Sequence, residues 1–270
     1  MSTRDEAWPS GTPCWIDLVV SDPAKAASFY GDLFGWTCEE TTPDAGGYRI
    51  CTLDGSAVAG IGPRPRDMDM PDVWTTYLAS DDADETARRI TDSGGSVKIE
   101  PFDVLDHGRM GFAFDPGGAA FGIWQAKGHL GSTIVNEPGA LTWSECMTRD
   151  YEGSLDFYAR VFDLEYDEIG DGETFRYSAM KVAGSLVGGL GALDPETPRE
   201  IPAHWMTYLG AEDTDALVAR ATGLGAIVRL PPTDSEYGRM AVLEGLQGEV
   251  FSVIAVSSST DDATDDSGVT

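Results

Sequence analysis

Apolar and polar positions alternate with a period of two across residues 15–20, the pattern of a half-buried strand. The period then lengthens. Ala26, Phe29, Tyr30 and Leu33 fall on one stripe of a helix that Asp22 can cap, Pro23 can open and Gly35 can end. Residues 48–53 and 56–61 read as a hairpin around Asp54-Gly55. Residues 75–79 restart the cycle, with a helix from about 83 to 93 stopped by Gly94-Gly95. Strands at 97–100, 110–114 and 120–125 close the series. The order is βαβββ, twice over.

The second half of the chain repeats the first. Trp15 and Asp22 return as Trp143 and Asp150, and Phe29-Tyr30 and Phe34 as Phe157-Tyr158 and Phe162. Trp74, Tyr77 and Leu78 return as Trp205, Tyr208 and Leu209, and Gly108-Arg109-Met110 as Gly238-Arg239-Met240. The matches keep their order at offsets of about 128 to 131 residues, so the chain is a tandem duplication. The organisation expected is an N-terminal arm (1–10), a first domain (11–127), a Gly-rich polar linker (128–139), a second domain (140–256) and a disordered acidic tail (257–270).

Composition narrows the function classes. At 270 residues the chain can build two cores, and 41% hydrophobic residues with 10% aromatics suit globular domains. The net charge of −28 repels nucleic acid and anionic membrane surfaces. Its acids are spread along both halves, which fits solubility better than a dedicated cationic ligand. No apolar run is long enough to span a bilayer, and residues 1–10 lack the pattern of a secretory signal. Cys14, Cys38, Cys51 and Cys146 show no C-x-x-C spacing, which suits reduced core thiols in a cytoplasmic protein.

Residues 11–18 (Gly11 to Leu18), then Ser28-Phe29-Tyr30-Gly31 and Leu33-Phe34-Gly35-Trp36, resemble the vicinal oxygen chelate superfamily of glyoxalases, extradiol dioxygenases and bleomycin-resistance proteins. More narrowly, the chain resembles two-domain glyoxalase-like proteins of actinomycetes. The resemblance implies an α+β fold: tandem glyoxalase-like domains, each of two βαβββ modules forming a U-shaped sheet cup that holds a ligand. It also implies four metal-ligand positions per cup. Carried across, they fall on Trp15, Gly60, Thr75 and Gly122, and on Trp143, Gly189, Met206 and Ser252. These are not ligands for a divalent ion, and three histidines (His107, His129, His204) cannot supply one site per copy. The expectation is therefore no metal and no cofactor.

Other groups remain for chemistry. Strand alternation puts Asp17 on the face of Trp15, and Glu145 on the face of Trp143. A carboxylate in an apolar cup has a raised pKa and can serve as acid or base, although an acid at a strand edge can equally bond backbone or arginine. His107 precedes the Gly-Arg-Met repeat and is the third acid–base candidate, against the plainer reading of a solvated loop histidine. Arg109 and Arg239 read as structural partners of carboxylates. Trp15, Trp143, Tyr77, Tyr208, Trp74 and Trp205 are the candidate ligand-binding aromatics, with core packing as the competing role for several of them. No phosphate loop or nucleophile elbow is present.

Two functions compete. One is a metal-independent lyase, isomerase or cyclase acting on an aromatic or polyketide-like small molecule. The other is a non-catalytic protein that sequesters a drug or metabolite. A metal-dependent glyoxalase or dioxygenase is disfavoured by the missing ligands. The partner expected is a small molecule, and the chain is expected to be a monomer because its fused copies can make a pseudo-twofold contact internally.

Overall fold

The computed structural model describes residues 3–41, 46–65, 70–172 and 175–256. The tail expected to be disordered, 257–270, lies outside the described residues. The first copy runs β1 (Pro13–Val20), α1 (Pro23–Phe34), β2 (Thr37–Glu40), β3 (Arg49–Leu53), β4 (Ser56–Pro63), β5 (Val73–Ala79), α2 (Ala83–Asp92), β6 (Ser96–Val104), β7 (Gly108–Phe114) and β8 (Ala120–Ala126). The second repeats it as β9 (Leu141–Thr148), α3 (Tyr151–Phe162), β10 (Glu165–Glu168), β11 (Tyr177–Val182), β12 (Ser185–Ala192), β13 (His204–Ala211), α4 (Thr214–Gly223), β14 (Ile227–Ser235), β15 (Gly238–Glu244) and β16 (Val250–Ala255).

Each copy forms one eight-stranded mixed sheet. Its strand order is β2-β3-β4-β1-β5-β8-β7-β6, mirrored as β10-β11-β12-β9-β13-β16-β15-β14. The two modules of a copy meet where β1 pairs antiparallel with β5, and β9 with β13. This is the α+β architecture of two tandem glyoxalase-like domains that the residues predict.

Local chemistry explains the helices. All four begin at an aspartate whose carboxylate accepts a backbone N–H of the first turn: Asp22 from Lys25, Asp82 from Glu85, Asp150 from Gly153 and Asp213 from Ala216. Four of the acids thus cap helices. Gly35 ends α1 in the left-handed conformation at φ 79°, which glycine adopts without strain.

Packing departs from a simple string of two domains. One apolar core joins α1, β1 and β4 of the first copy to α4, β15 and β16 of the second, through residues such as Phe29, Tyr30, Leu33, Leu243 and Phe251. The other joins α2, β7 and β8 of the first copy to α3, β11 and β12 of the second, through Ile90, Phe121, Phe157 and Met180. The helices are therefore sandwiched between the sheets, and the helix-free face of each sheet, its cup, points away.

Two buried tyrosines fasten the exchange. Tyr30 donates to Glu249 Oε1 at 3.1 Å and accepts from Trp74 Nε1 at 3.1 Å. Tyr158 donates to Asp115 Oδ2 at 3.2 Å and accepts from Trp205 Nε1 at 2.9 Å. Each carboxylate comes from the turn before the last strand of the opposite copy.

The cysteine expectation is corrected. Cys38 on β2 stands opposite Cys51 on β3, and the two form a disulfide, while Cys14 and Cys146 remain buried thiols. Short-range spacing does not register this pair, because antiparallel pairing brings together cysteines 13 residues apart. Among the described residues, no helix is long and apolar enough to cross a membrane.

Because the cores are shared, the chain is expected to melt in one cooperative calorimetric transition, and two resolved transitions would contradict the exchange. Tyr158→Phe leaves Asp115 and Trp205 each short of a buried partner. It is expected to cost about 1–3 kcal/mol in chemical denaturation while keeping the single transition.

Candidate functional site

The side-chain alternation of β1 sends Ile16 and Leu18 into the shared core and Trp15 and Asp17 into the first cup. β9 does the same, with Cys146 in the core and Trp143 and Glu145 in the second cup. Register then brings phenols to the carboxyls. Tyr77 donates to Asp17 Oδ2 at 3.0 Å. In the second cup, Tyr208 and Tyr177 donate to the two oxygens of Glu145 at 2.6 and 2.8 Å. The tryptophan of each cup steadies the outer phenol: Trp15 Nε1 donates to Tyr48 Oη at 3.1 Å, and Trp143 Nε1 to Tyr177 Oη at 2.9 Å.

The cradles differ by one methylene. Glu145 reaches both phenols. Asp17 is shorter, and its Oδ1 is buried without a partner at hydrogen-bond geometry, although Tyr48 lies close enough to influence its charge. Burial pushes the Asp17 carboxyl up to about 7, against the pull of Tyr77 and Tyr48. Glu145 is also raised, by burial, with Tyr208, Tyr177 and then His204 opposing. All four phenols lie above their ordinary range, through burial and the neighbouring carboxyl, so they stay protonated as donors.

Glycines make room for this arrangement. A Cβ on Gly60 would stand 1.8 Å from Tyr48 Oη, and one on Gly189 would stand 1.8 Å from Tyr177 Oη. A Cβ on Gly122 would meet the Tyr77 ring at 2.1 Å. Tyrosine thus fills the space that a ligand side chain at these positions would need. Asp17 is paired with Gly60 and Thr75, and Glu145 with Gly189 and Met206, so each such row of the sheet holds a single carboxylate. Among the described residues, no group of three or more His, Cys, Asp or Glu could hold a metal ion. The residues present do not fit a divalent cation.

The other candidates are dispersed. Trp74 and Trp205, expected as ligand-binding walls, sit in the shared cores and donate to Tyr30 and Tyr158. They stand three residues from Tyr77 and Tyr208, an odd spacing that puts them on the opposite face of the strand. That placement corrects the expectation. His107 is exposed on the turn between β6 and β7, where its carbonyl accepts from the N–H groups of Lys127 and His129. Arg109 and Arg239 pair with Asp84 and Asp215, tying β7 to α2 and β15 to α4.

Three residues of the site escaped the sequence. Tyr48 and Tyr177 are themselves a repeat pair, and that offset was the signal that could have found them. His129, in the linker, packs edge-on to Trp15 with ring centroids 4.5 Å apart. Burial, with His107 nearby, holds its pKa down at about 4, so it is neutral at pH 7.

Comparison with known proteins follows the same outline. Residues 14–123 and 141–269 match the glyoxalase/bleomycin resistance protein/dioxygenase superfamily. The chain is 41% identical over 261 residues to a Mycobacterium tuberculosis protein named "Putative glyoxylase CFP32", covering 94% of this chain and 98% of that one. It is 36% identical over 263 residues to the anthracycline biosynthesis protein DnrV of Streptomyces peucetius, covering 90% and 93%. In fold it resembles the Mn(II)-bound glyoxalase from Novosphingobium aromaticivorans, with a TM-score of 0.63, 17% identity, and coverage of 92% and 82%. It also resembles the 2,3-dioxygenase LapB from Pseudomonas sp. KL28, with a TM-score of 0.63, 11% identity, and coverage of 96% and 97%.

A pH prediction follows from Asp17. Its folded pKa of about 7 lies above the ordinary 3.8, so its contribution to stability is complete below pH 3.8 and is lost as pH rises through 7. Asp17→Asn is expected to flatten the melting temperature against pH in that window. A variant profile parallel to that of the unaltered protein would contradict the assignment.

Proposed function

Since the chain belongs to the glyoxalase/bleomycin resistance protein/dioxygenase superfamily, we propose that it is an enzyme acting without a metal on an aromatic, polyketide-like small molecule by acid–base chemistry. The observation that carries this reading is the carboxyl cradled by phenols, present in both cups where metal ligands are wanting. The substrate class rests on the 36% identity to a protein named for anthracycline biosynthesis.

The chemistry suits proton abstraction beside a carbonyl. Asp17 or Glu145 takes the proton as the C–H bond breaks, and the electron pair moves onto the carbonyl oxygen as an enolate. A phenol released from the carboxyl turns to that oxygen and stabilises its charge as a donor. The carboxyl then returns the proton to another carbon in an isomerisation, to the product of an intramolecular carbon–carbon closure in a cyclisation, or to a departing hydroxyl in an elimination. In both cups burial raises the carboxyl above its ordinary range, towards the working pH, which favours both halves of that transfer.

The test is chromatography and mass spectrometry of chelator-treated protein incubated with tetracyclic aromatic polyketides. Conversion to an isomer or a dehydrated product is expected, unaffected by the chelator. Loss of a carboxyl should lower kcat about 10²–10⁴-fold in Asp17→Asn or Glu145→Gln. Unchanged turnover in both variants would refute the assignment. Tight binding without turnover would instead support a sequestering protein, a role that a carboxyl beside aromatic rings in each cup suits for cationic planar compounds. A monomer is proposed on the same footing, with sedimentation at twice the chain mass as the contrary result.

A further inference from the structure

The two cups, alike in their cradles, differ in what covers them. The linker covers the first, leaving a pocket of about 150 Å³ against Trp8, Cys14, Trp124 and Leu130 that does not reach Trp15, Asp17 or Tyr77. Ser132 N–H donates to Cys14 O at 2.7 Å and Thr133 N–H to Ala57 O at 2.9 Å, which fills the slot between the start of β1 and the start of β4. Trp8 of the N-terminal arm donates to Ser132 O at 3.1 Å and holds this segment down. Beneath it, Cys14, Trp15, Tyr77, Ala79 and Trp124 form an apolar cluster, and His129 closes over Trp15. Trp15 is only 3% exposed and Asp17 only 7%.

The repeat places the corresponding slot of the second copy between Thr142 on β9 and Leu186-Val187 on β12. There it is open: a pocket of about 120 Å³ lined by Trp143, Leu186 and Val187, with Trp8 and Pro13 from the first copy on its far side. Trp143 and Glu145 are both half-buried rather than buried. Trp124, which roofs the first cup, is replaced by Ile254 at the matching register position. No equivalent apolar cluster forms among the described residues of the second cup. Apart from Phe102 and Leu105, every large apolar side chain exposed among the described residues belongs to the second copy. One of them, Phe175, stacks on Tyr177 at 5.7 Å and continues the aromatic wall outward from the Glu145 cradle.

Resting on the function proposed above, we infer that the second cup is the one that takes the ligand, and that the first, with Trp15 and Asp17 covered, is a structural copy. The geometry favours a planar fused-ring molecule bearing a carbonyl or phenol oxygen. Its oxygen would meet Tyr208, Tyr177 and Glu145, one ring face would lie on Trp143, and an apolar edge would enter the slot beside Leu186. An apolar cavity of about 150 Å³ accommodates benzene, so a pocket of about 120 Å³ takes the edge of one ring and leaves the rest over the cup. The N-terminal arm and Pro13 therefore belong to the specificity wall of the opposite copy.

The experiment titrates the full-length protein with 1,8-dihydroxyanthraquinone, read by tryptophan quenching and isothermal calorimetry. Leu186→Arg is the main variant, because Leu186 is 58% exposed and its replacement spares the cores. It is expected to weaken binding at least tenfold with an unchanged melting temperature. Trp143→Leu, which removes the ring surface but leaves the slot, should also weaken binding. Leu130→Arg, in the pocket beside Trp124 of the first cup, should leave the Kd within twofold. Weakening in Leu130→Arg alone would move the ligand to the first cup, overturning this inference while the proposed function stands. Normal binding in all three variants would overturn it too. If the unaltered protein fails to bind the probe, the ligand class falls and with it both readings.

Discussion

Tyr30 and Tyr158 each lie fully buried in one copy and give their hydroxyl hydrogen to a carboxylate of the other. A buried carboxylate without such a partner costs several kcal/mol, so these bonds fix how the copies dock as firmly as the apolar contacts around them. From that docking much else follows. The first module of each copy completes its core with the second module of the other, the helices are trapped between the sheets, and the two cups face outward. A duplicated chain could have folded as two beads on a string. Here the two largest cores are each built from both copies.

The cups show how glycine positions decide which side chains the sheet can hold. Glycine at Gly60 and Gly189 admits a tyrosine hydroxyl to the floor of the sheet, and the tyrosine in turn excludes any longer side chain at that position. Once the phenols are in place, a single carboxylate is held by their hydrogen bonds. The difference between Asp17 and Glu145 then sets how many phenols it engages. The covering linker adds a second asymmetry, built from ordinary backbone hydrogen bonds rather than from any catalytic residue.

Much of this was written in the sequence. The duplication, the βαβββ order, the Asp22 cap and the placement of Asp17 beside Trp15 all follow from periodicity, capping preference and self-comparison, because repeats and strand alternation are local properties of the chain. What escaped was long-range. Trp74 and Trp205 looked like cup walls through their nearness to Tyr77 and Tyr208, yet an offset of three on a strand reverses the face. Tyr48 and Tyr177 sit at the start of an edge-side hairpin, where no local pattern distinguishes a cradle from a surface aromatic. The Cys38–Cys51 bond depends on cross-strand register, and the role of His129 depends on the path of a linker. Neither leaves a local trace.

The exchange of half-cores also has a consequence in time. Tyr30 and its acceptor Glu249 are 219 residues apart in the chain. At about 5–20 residues per second, the ribosome delivers that acceptor roughly 10 to 45 seconds after the tyrosine. Throughout that interval the leading copy carries an unfinished core, with Phe29, Leu33 and Trp36 awaiting Leu243 and Phe251. The nascent protein is thus a half-built structure whose exposed apolar surface is the docking face for residues not yet made. During synthesis, the sticky face that the mature fold hides completely is held open for its own second half.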